Sequence, residues 1–510
     1  MATRSRHGCI DCKKAKVKCD EIHPFCGTCK RRGRQCAGYN QITKAQKTRD
    51  APTPRPTTTQ MANSASSPDA TPVAIEYAIN DAAFHSSPGF SPSSTAAPFS
   101  PISNDFALAP ATPILKTVAT IPPGTIHPAD EPFIELYFMR HPGELVFGSE
   151  FVNEMNSSVL KVFQNSPLAV GDSLSAIGEA YLRDGSLPIL VPVPNRKARI
   201  LARLRSMDNL GVSLELLLTI MLGLCAIELV DATAHQQPVT SVPALLDNLA
   251  MMLDHHLRKG FELTQLAKYF VRALARQDMM LSLTRFHRPR IPTSYWLDDY
   301  SRQHADRFMG YTGTLMPLLA ELCSLAEDFR ASVADSITNN GATDLSFPMP
   351  LHDLLDRASQ IQLKLEQWHP TVDPTLSFQS SRKFLMHANA YRSASLLYLH
   401  RLLHPPGTSV DADQAALLKA YEVMVHTTAC DDDMKMSLWP IFLAACEVNT
   451  EPDRLSASQM LSSICRGRKT VNAMRTRSFV INRVWSARDA GLDWNWMTLA
   501  QRYPNELLPI

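Results

Sequence analysis

The sequence predicts a mostly α-helical protein with a small metal-binding module, a disordered linker and a large all-α domain. Three observations predict this division. Six cysteines lie between Cys9 and Cys36. Residues 51–128 contain fourteen of the chain's 36 prolines and no tryptophan. Beyond about Pro128, apolar residues recur at helical spacing. A chain of 510 residues, 45% of them hydrophobic, can bury a substantial core in about two to four domains.

The cysteines form a C-x2-C-x6-C unit that occurs twice, with six residues between the copies. The N-terminus has no apolar segment and no small-residue cleavage site, so we expect a reducing compartment, where clustered cysteines favour metal over disulfides. Zinc prefers four ligands in structural sites. Six thiolates supply eight ligand positions if two of them bridge, so the sequence predicts two Zn²⁺ bound by Cys9, Cys12, Cys19, Cys26, Cys29 and Cys36.

Positive charge is concentrated around these cysteines. Residues 1–50 contain 13 Lys/Arg and 4 Asp/Glu, a formal charge of +9, whereas the remaining residues carry −7. Residues 9–36 contain eight Lys/Arg and three Asp/Glu, and their charge remains about +3 when two Zn²⁺ and six thiolates are included. The N-terminal module is therefore expected to bind a polyanion.

The spacing of all six cysteines resembles that of the fungal Zn(2)-Cys(6) binuclear zinc cluster transcription factors. The segment KKAKVKCD after the second cysteine matches the family's basic loop at Lys16, Lys18 and Asp20. It departs from the family at Ala15, where a basic residue is usual, so one side-chain contact to DNA is expected to be missing.

The resemblance implies both a metal arrangement and a DNA-binding mode. Cys9 and Cys26 would bridge two zinc ions, one completed by Cys12 and Cys19 and the other by Cys29 and Cys36. A short helix would enter the major groove of double-stranded DNA, where Lys16 and Lys18 contact base edges of a CGG-type triplet. The side chains expected to contact phosphates are Lys13, Lys14, Lys30, Arg31 and Arg32. These properties imply a nuclear regulator of RNA polymerase II genes.

Residues 1–40 are therefore predicted to be the DNA-binding domain, and residues 41–127 a disordered linker. The linker is rich in Pro, Ser and Thr and cannot bury enough apolar surface to offset its chain entropy. No apolar heptads follow the cysteines, so no coiled coil is predicted there. The protein then either binds DNA as a monomer or forms a homodimer through another segment.

Residues 128–510 are predicted to form the all-α domain. Helical periodicity is clearest at residues 262–285 and 382–403, and Pro405 is expected to end the second helix. The apolar stretch 214–230 is too short to span a bilayer and predicts a buried helix. The remaining cysteines are predicted to be core residues: Cys225, Cys323, Cys430, Cys446 and Cys465. Further helices are predicted at 132–140, 168–182, 196–207, 244–258, 317–333, 351–368, 413–426, 456–475 and 479–490.

The run WPIFLAACE, from Trp439 to Glu447, resembles a segment of the second type of fungal-specific transcription factor domain. This resemblance implies a regulatory domain that responds to effectors or contacts transcriptional co-regulators.

Motifs of catalysis are absent, including G-x-S-x-G, H-E-x-x-H, the P-loop and G-x-G-x-x-G. His255 and His256 are adjacent on a helix, so they diverge and are predicted to lie at the surface or its boundary. A basic helix is predicted to be a solvated face rather than a second DNA site; its residues are Arg196, Lys197, Arg199, Arg203 and Arg205. A second class of function remains open: a metabolite-binding or enzymatic helical protein with a nucleic-acid-binding tether.

Overall fold

α-Helices dominate the described part of the chain, and no strand occurs in it. The computed structural model describes Cys9, Cys12, Lys14, Val17, Cys19, Asp20, 26–32, Cys36, 124–182, 192–207, 213–231, 241–338 and 351–507. The chain divides into two compact units, Met1–Asn104 and Asp105–Ile510. The mostly α prediction is confirmed, whereas the predicted linker lies outside the described residues except for positions 124–127.

Eighteen α-helices have described bounds, and α1 (Gly27–Arg31) lies in the N-terminal unit, where Cys12 and Lys14 are also helical. The helices of the second unit are α2 (Glu131–Leu145), α3 (Glu150–Asn165), α4 (Pro167–Ala180), α5 (Val193–Met207), α6 (Leu214–Val230), α7 (Val242–Arg258), α8 (Gln265–Arg285), α9 (Asp299–Gln303), α10 (Met316–Thr338), α11 (Leu351–Gln367), α12 (Phe378–Leu403), α13 (Val410–Thr428), α14 (Leu438–Glu447), α15 (Glu451–Gly467), α16 (Val471–Phe479), α17 (Ser486–Asp489) and α18 (Trp496–Arg502). A π-helical segment, Val480–Trp485, joins α16 to α17.

Local sequence signals determine where several of these helices begin and end. The Ser213 side chain caps α6 by accepting the backbone N–H of Leu216, and Thr264 caps α8 in the same way. Such a cap contributes typically about 1 kcal/mol. Helix α12 ends at Leu403, shortly before Pro405, as the sequence predicted.

The core of the helical unit surrounds α14, because every residue of this helix is buried. Trp439 is fully buried, and its ring lies 5.5 Å from that of Tyr391 and 6.4 Å from that of Tyr398, both on α12. Helices α12, α13 and α15 pack around α14. Four of the six tryptophans of the chain are buried in this unit, where they supply large aromatic side chains to the core.

The predicted helix boundaries differ from the structure in two ways. The segment predicted as one helix at 456–475 forms α15 and α16, separated at the buried residues Arg468 and Thr470. Helices α3, α9, α14 and α18 were not predicted. In α14 apolar residues cover all sides, so no amphipathic period marks it as a helix. None of the described helices has the length and apolar character needed to cross a membrane.

The prediction of a solvated basic face on α5 is wrong at Arg196. This side chain is fully buried, with a nitrogen 2.6 Å from Asp130 and others 3.6 Å from Asp172 and Glu179. Charge composition alone does not show that neighbouring helices bring carboxylates to this side chain. The other basic residues of α5 are at least partly exposed, and three of them pair with acids: Lys197 with Glu228, and Arg199 and Arg203 with Asp172.

A second buried ion pair joins α12 to the end of α14. The Arg401 guanidinium donates to both carboxylate oxygens of Glu447 at 2.6 to 3.1 Å, and both side chains are 2% exposed. Arg401 also donates to Asp413 on α13 at 2.6 Å. One guanidinium thus connects three helices, and it gives the last residue of the WPIFLAACE run its structural role.

Replacing Glu447 with Gln is expected to destabilise the helical domain by about 3–5 kcal/mol, toward the lower end because Asp413 retains one contact to the buried Arg401. The matched control is Glu321→Gln, which breaks an exposed pair with Lys364 and should cost less than about 1 kcal/mol. Urea unfolding followed by circular dichroism measures both effects. Equal, small losses for the two variants would contradict the role assigned to Glu447.

Candidate metal centre

The six cysteine sulfurs form two groups of four that share two members. One group contains Cys9, Cys12, Cys19 and Cys26, and the other contains Cys9, Cys26, Cys29 and Cys36; within each group the sulfurs lie within 4.8 Å of one another. The Sγ atoms of the shared residues, Cys9 and Cys26, are 3.5 Å apart. Tetrahedral zinc with bonds of about 2.3 Å places its sulfurs about 3.8 Å apart. The donor set therefore fits zinc in both number and spacing.

The sequence repeat is also a repeat of local structure. In each half the first sulfur accepts the backbone N–H of the second cysteine: Cys12 to Cys9 at 3.4 Å, and Cys29 to Cys26 at 3.2 Å. The third sulfur of each half accepts the N–H of the first cysteine, from Cys9 to Cys19 and from Cys26 to Cys36, both at 3.4 Å. Backbone donors of this kind favour the thiolate, which is the form that binds metal.

The interior of this module consists mainly of cysteine side chains, and not of larger apolar residues. Five of the six cysteines are buried and Cys36 is partly exposed, and the side chain beside them is the half-buried Val17. So small a module cannot supply enough hydrophobic burial for stability and requires a metal or a covalent link. No disulfide joins the six cysteines in the structure, so their sulfurs are available to bind a metal.

Cys26 is the N-cap of helix α1, because its sulfur accepts the backbone N–H of Cys29. Asp20, from the first half of the module, accepts hydrogen bonds from Thr28 Oγ1 at 3.2 Å and from Arg31 Nη2 at 3.4 Å. The two halves are thus connected by polar contacts as well as by sulfur. The role of Thr28 was not predicted, because no local sequence pattern shows that Asp20 faces α1.

The described basic side chains of the module face solvent. Lys14, Lys30, Arg31 and Arg32 are exposed, and Lys30 and Arg31 lie in the last turn of α1. The Arg31 side chain remains 74% exposed although it pairs with Asp20, so this contact leaves it accessible to a ligand. The predicted DNA contacts Lys13, Lys16 and Lys18 lie outside the described residues.

The cysteines of the helical unit have a different environment. Four are buried in the core, as predicted, and Cys465 is partly exposed. Burial raises the pKa of Cys225 to about 12, which keeps its thiol protonated and unreactive. Among the described residues, metal-binding groups occur in the N-terminal module alone.

Comparison with known families identifies two regions. Residues 199–510, more than half of the chain, match the fungal specific transcription factor domain. Residues 7–46 match the fungal Zn(2)-Cys(6) binuclear cluster domain, which implies that the module binds zinc. The first match begins within α5, so the predicted domain boundary at residue 128 stays a prediction. No solved structure matches the chain.

The relatives with curated descriptions align with a short segment of this chain. A transcription regulator specific to the aspercryptin biosynthesis cluster of Emericella nidulans is 47% identical over 49 residues, 10% of this chain and 8% of that protein. White-opaque regulator 2 of Candida albicans is 44% identical over 41 residues, 8% of this chain and 9% of that protein. An uncharacterized transcriptional regulatory protein of Schizosaccharomyces pombe is 54% identical over 33 residues, 6% of each chain. The aligned segments thus span less than a tenth of these relatives.

Removing zinc with a chelator is expected to make the six N-terminal thiols reactive, because the module loses the ions that hold its sulfurs together. The four buried cysteines of the helical unit serve as an internal control and should remain protected. Thiol labelling before and after chelation counts the reactive cysteines, and mass spectrometry identifies which positions are labelled. Protection of the N-terminal thiols after complete zinc removal would contradict the interpretation that zinc holds these six sulfurs together inside the module.

Proposed function

We propose that this chain, which belongs to the fungal Zn(2)-Cys(6) transcription factors with a fungal specific transcription factor domain, is a sequence-specific DNA-binding regulator of RNA polymerase II genes. The observation that supports this most strongly is the pair of four-sulfur groups sharing Cys9 and Cys26 in a module with exposed basic side chains. The family matches indicate a transcription regulator and not an enzyme. We expect it to act in the nucleus.

The metal centre is proposed to contain two Zn²⁺ bridged by the thiolates of Cys9 and Cys26. The membership of these residues in both four-sulfur groups supports the bridging role. Zinc binding displaces thiol protons and fixes the two halves of the module relative to each other. Two ions and six thiolates carry a formal charge of −2, so the surrounding basic residues make the module cationic.

Different basic residues are proposed to contact the bases and the phosphates of DNA. Lys16 and Lys18 contact the bases of a CGG-type triplet in the major groove, and Lys13, Lys14, Lys30, Arg31 and Arg32 contact phosphates. The exposure of Lys14 in one half and of three basic residues in the other supports phosphate contacts on both sides of the module. Each neutralised phosphate releases counterions, so binding weakens as salt rises.

Residues 1–40 are proposed to bind DNA, residues 41–127 to act as a disordered tether, and residues 128–510 to regulate output through effectors or co-regulators. The absence of apolar heptads after the cysteines supports either a monomer or a homodimer formed elsewhere in the chain. Mapping of bound genomic sites distinguishes these two arrangements by the symmetry and spacing of the triplets.

Substituting Cys19 with Ala is expected to lower the zinc content below two ions per chain and to abolish specific DNA binding, since one ion retains three thiolates. Cys465→Ala is the matched control and should leave both properties unchanged, because Cys465 lies in the helical unit. Native mass spectrometry counts the ions, and a duplex-binding assay measures affinity. Two bound ions together with undiminished specific binding in Cys19→Ala would refute the proposed metal centre.

Substituting Lys16 with Ala is expected to cost about 1–3 kcal/mol on a CGG-containing duplex and to relax the sequence preference. Lys14→Ala should instead weaken binding to all duplexes alike and reduce the salt slope by about 1. Titrations of cognate and scrambled duplexes at several salt concentrations separate the two effects. A uniform loss in Lys16→Ala would reassign Lys16 to a phosphate.

A further inference from the structure

An internal cavity lies within the helical unit between α2, α3, α4, α6 and α8. The cavity and its opening to solvent together enclose about 730 Å³ of space that no atom occupies. The part of this space in which the centre of a water molecule fits is about 50 Å³. Most of its lining is apolar, including Leu174, Ile177 and Phe270. The cavity is therefore narrow and suited to a slender apolar molecule.

Two buried arginines line this apolar cavity. Arg276 projects from α8 and is 5% exposed, and Arg468 follows α15 and is 3% exposed. Among the described residues, neither guanidinium forms an ion pair with a carboxylate. The side chain of Arg276 makes one hydrogen bond, to the Tyr391 hydroxyl at 3.4 Å, and Nε of Arg468 has no partner. The nearby Glu144 bonds instead to Arg140 and to the backbone N–H of Lys469.

Other polar groups at the cavity are also unsatisfied. Ser173 Oγ and Gln277 Oε1 are buried, line the cavity and have no hydrogen-bond partner in the structure. His141 is neutral, since burial, and then the charge of Arg468, lower its pKa to about 3, so it adds no further positive charge to the cavity. Buried charges without a counterion are strongly unfavourable, so an anion bound here would stabilise the fold.

We propose that this cavity binds a slender organic acid, with its carboxylate at the guanidinium groups of Arg276 and Arg468 and its alkyl chain along Leu174, Ile177 and Phe270. A carboxylate is planar and matches the paired donors of a guanidinium. The apolar walls accommodate an unbranched hydrocarbon better than a second charged group. The proposal is independent of the DNA-binding module, because every residue of the site lies in the helical unit.

Octanoate is the probe for this site, and 1-octanol and inorganic phosphate are the matched ligands that lack either the charge or the alkyl chain. Octanoate is expected to bind the full chain and to raise the unfolding temperature of the helical unit, whereas octanol and phosphate should not. Isothermal titration and differential scanning calorimetry measure the two effects. Failure of octanoate to bind, or equal binding of octanol, would overturn the proposal.

Arg276→Met and Arg468→Met test the charge requirement. Each should weaken octanoate binding at least tenfold, while the ligand-free variant unfolds at the same temperature as the unsubstituted chain or higher, because an uncompensated buried charge is removed. Arg302→Met, on the exposed side of α9, is the control and should bind octanoate normally. Ala226→Leu fills the cavity without changing charge and should also prevent binding. Undiminished octanoate binding by both arginine variants would overturn the site.

Discussion

The burial of α14 on all sides is the constraint on which the helical domain depends. In a helix without a solvent-facing side, the C-terminal backbone carbonyls cannot bond to water and need partners from the rest of the fold. Trp485 Nε1 donates to the carbonyl of Ala445, and Arg488 donates to that of Glu447. The Glu447 carboxylate in turn requires Arg401. Residues forty or more positions away in both directions therefore complete this short helix.

Several buried arginines of the domain contact carboxylates, whereas Arg276 and Arg468 do not. Arg401 and Arg196 are each surrounded by carboxylates, and Asp306 lies 3.0 Å from Arg272 and 3.8 Å from Arg307. Burying a charge is tolerated when a counterion and hydrogen bonds compensate the lost hydration. Arg276 and Arg468 form no ion pair with a carboxylate among the described residues, and both line a cavity, although Arg276 also bonds to Tyr391 on α12. The proposed acid site follows from this contrast.

In the N-terminal module, much of the candidate site could be predicted from the sequence, because its geometry is determined over short distances. Two residues separate the first and second cysteines of each half, and at this spacing the backbone N–H of the second cysteine reaches the sulfur of the first. The resemblance to the zinc cluster family also implied which sulfurs group together. The contact of Asp20 with Thr28 and Arg31 could not be predicted, since it depends on how the two halves pack.

The sequence by itself determined the sulfur repeat, the charge contrast between the two parts of the chain, the helical class and most helix positions. These properties depend on spacing, composition and local stop signals such as Pro405, which act within a few residues. The tertiary structure alone decided that Arg196 is buried among carboxylates, that Glu447 pairs with Arg401, and that two arginines share an apolar cavity. Whether a buried charge is compensated depends on side chains brought together from distant segments, and no local pattern encodes that.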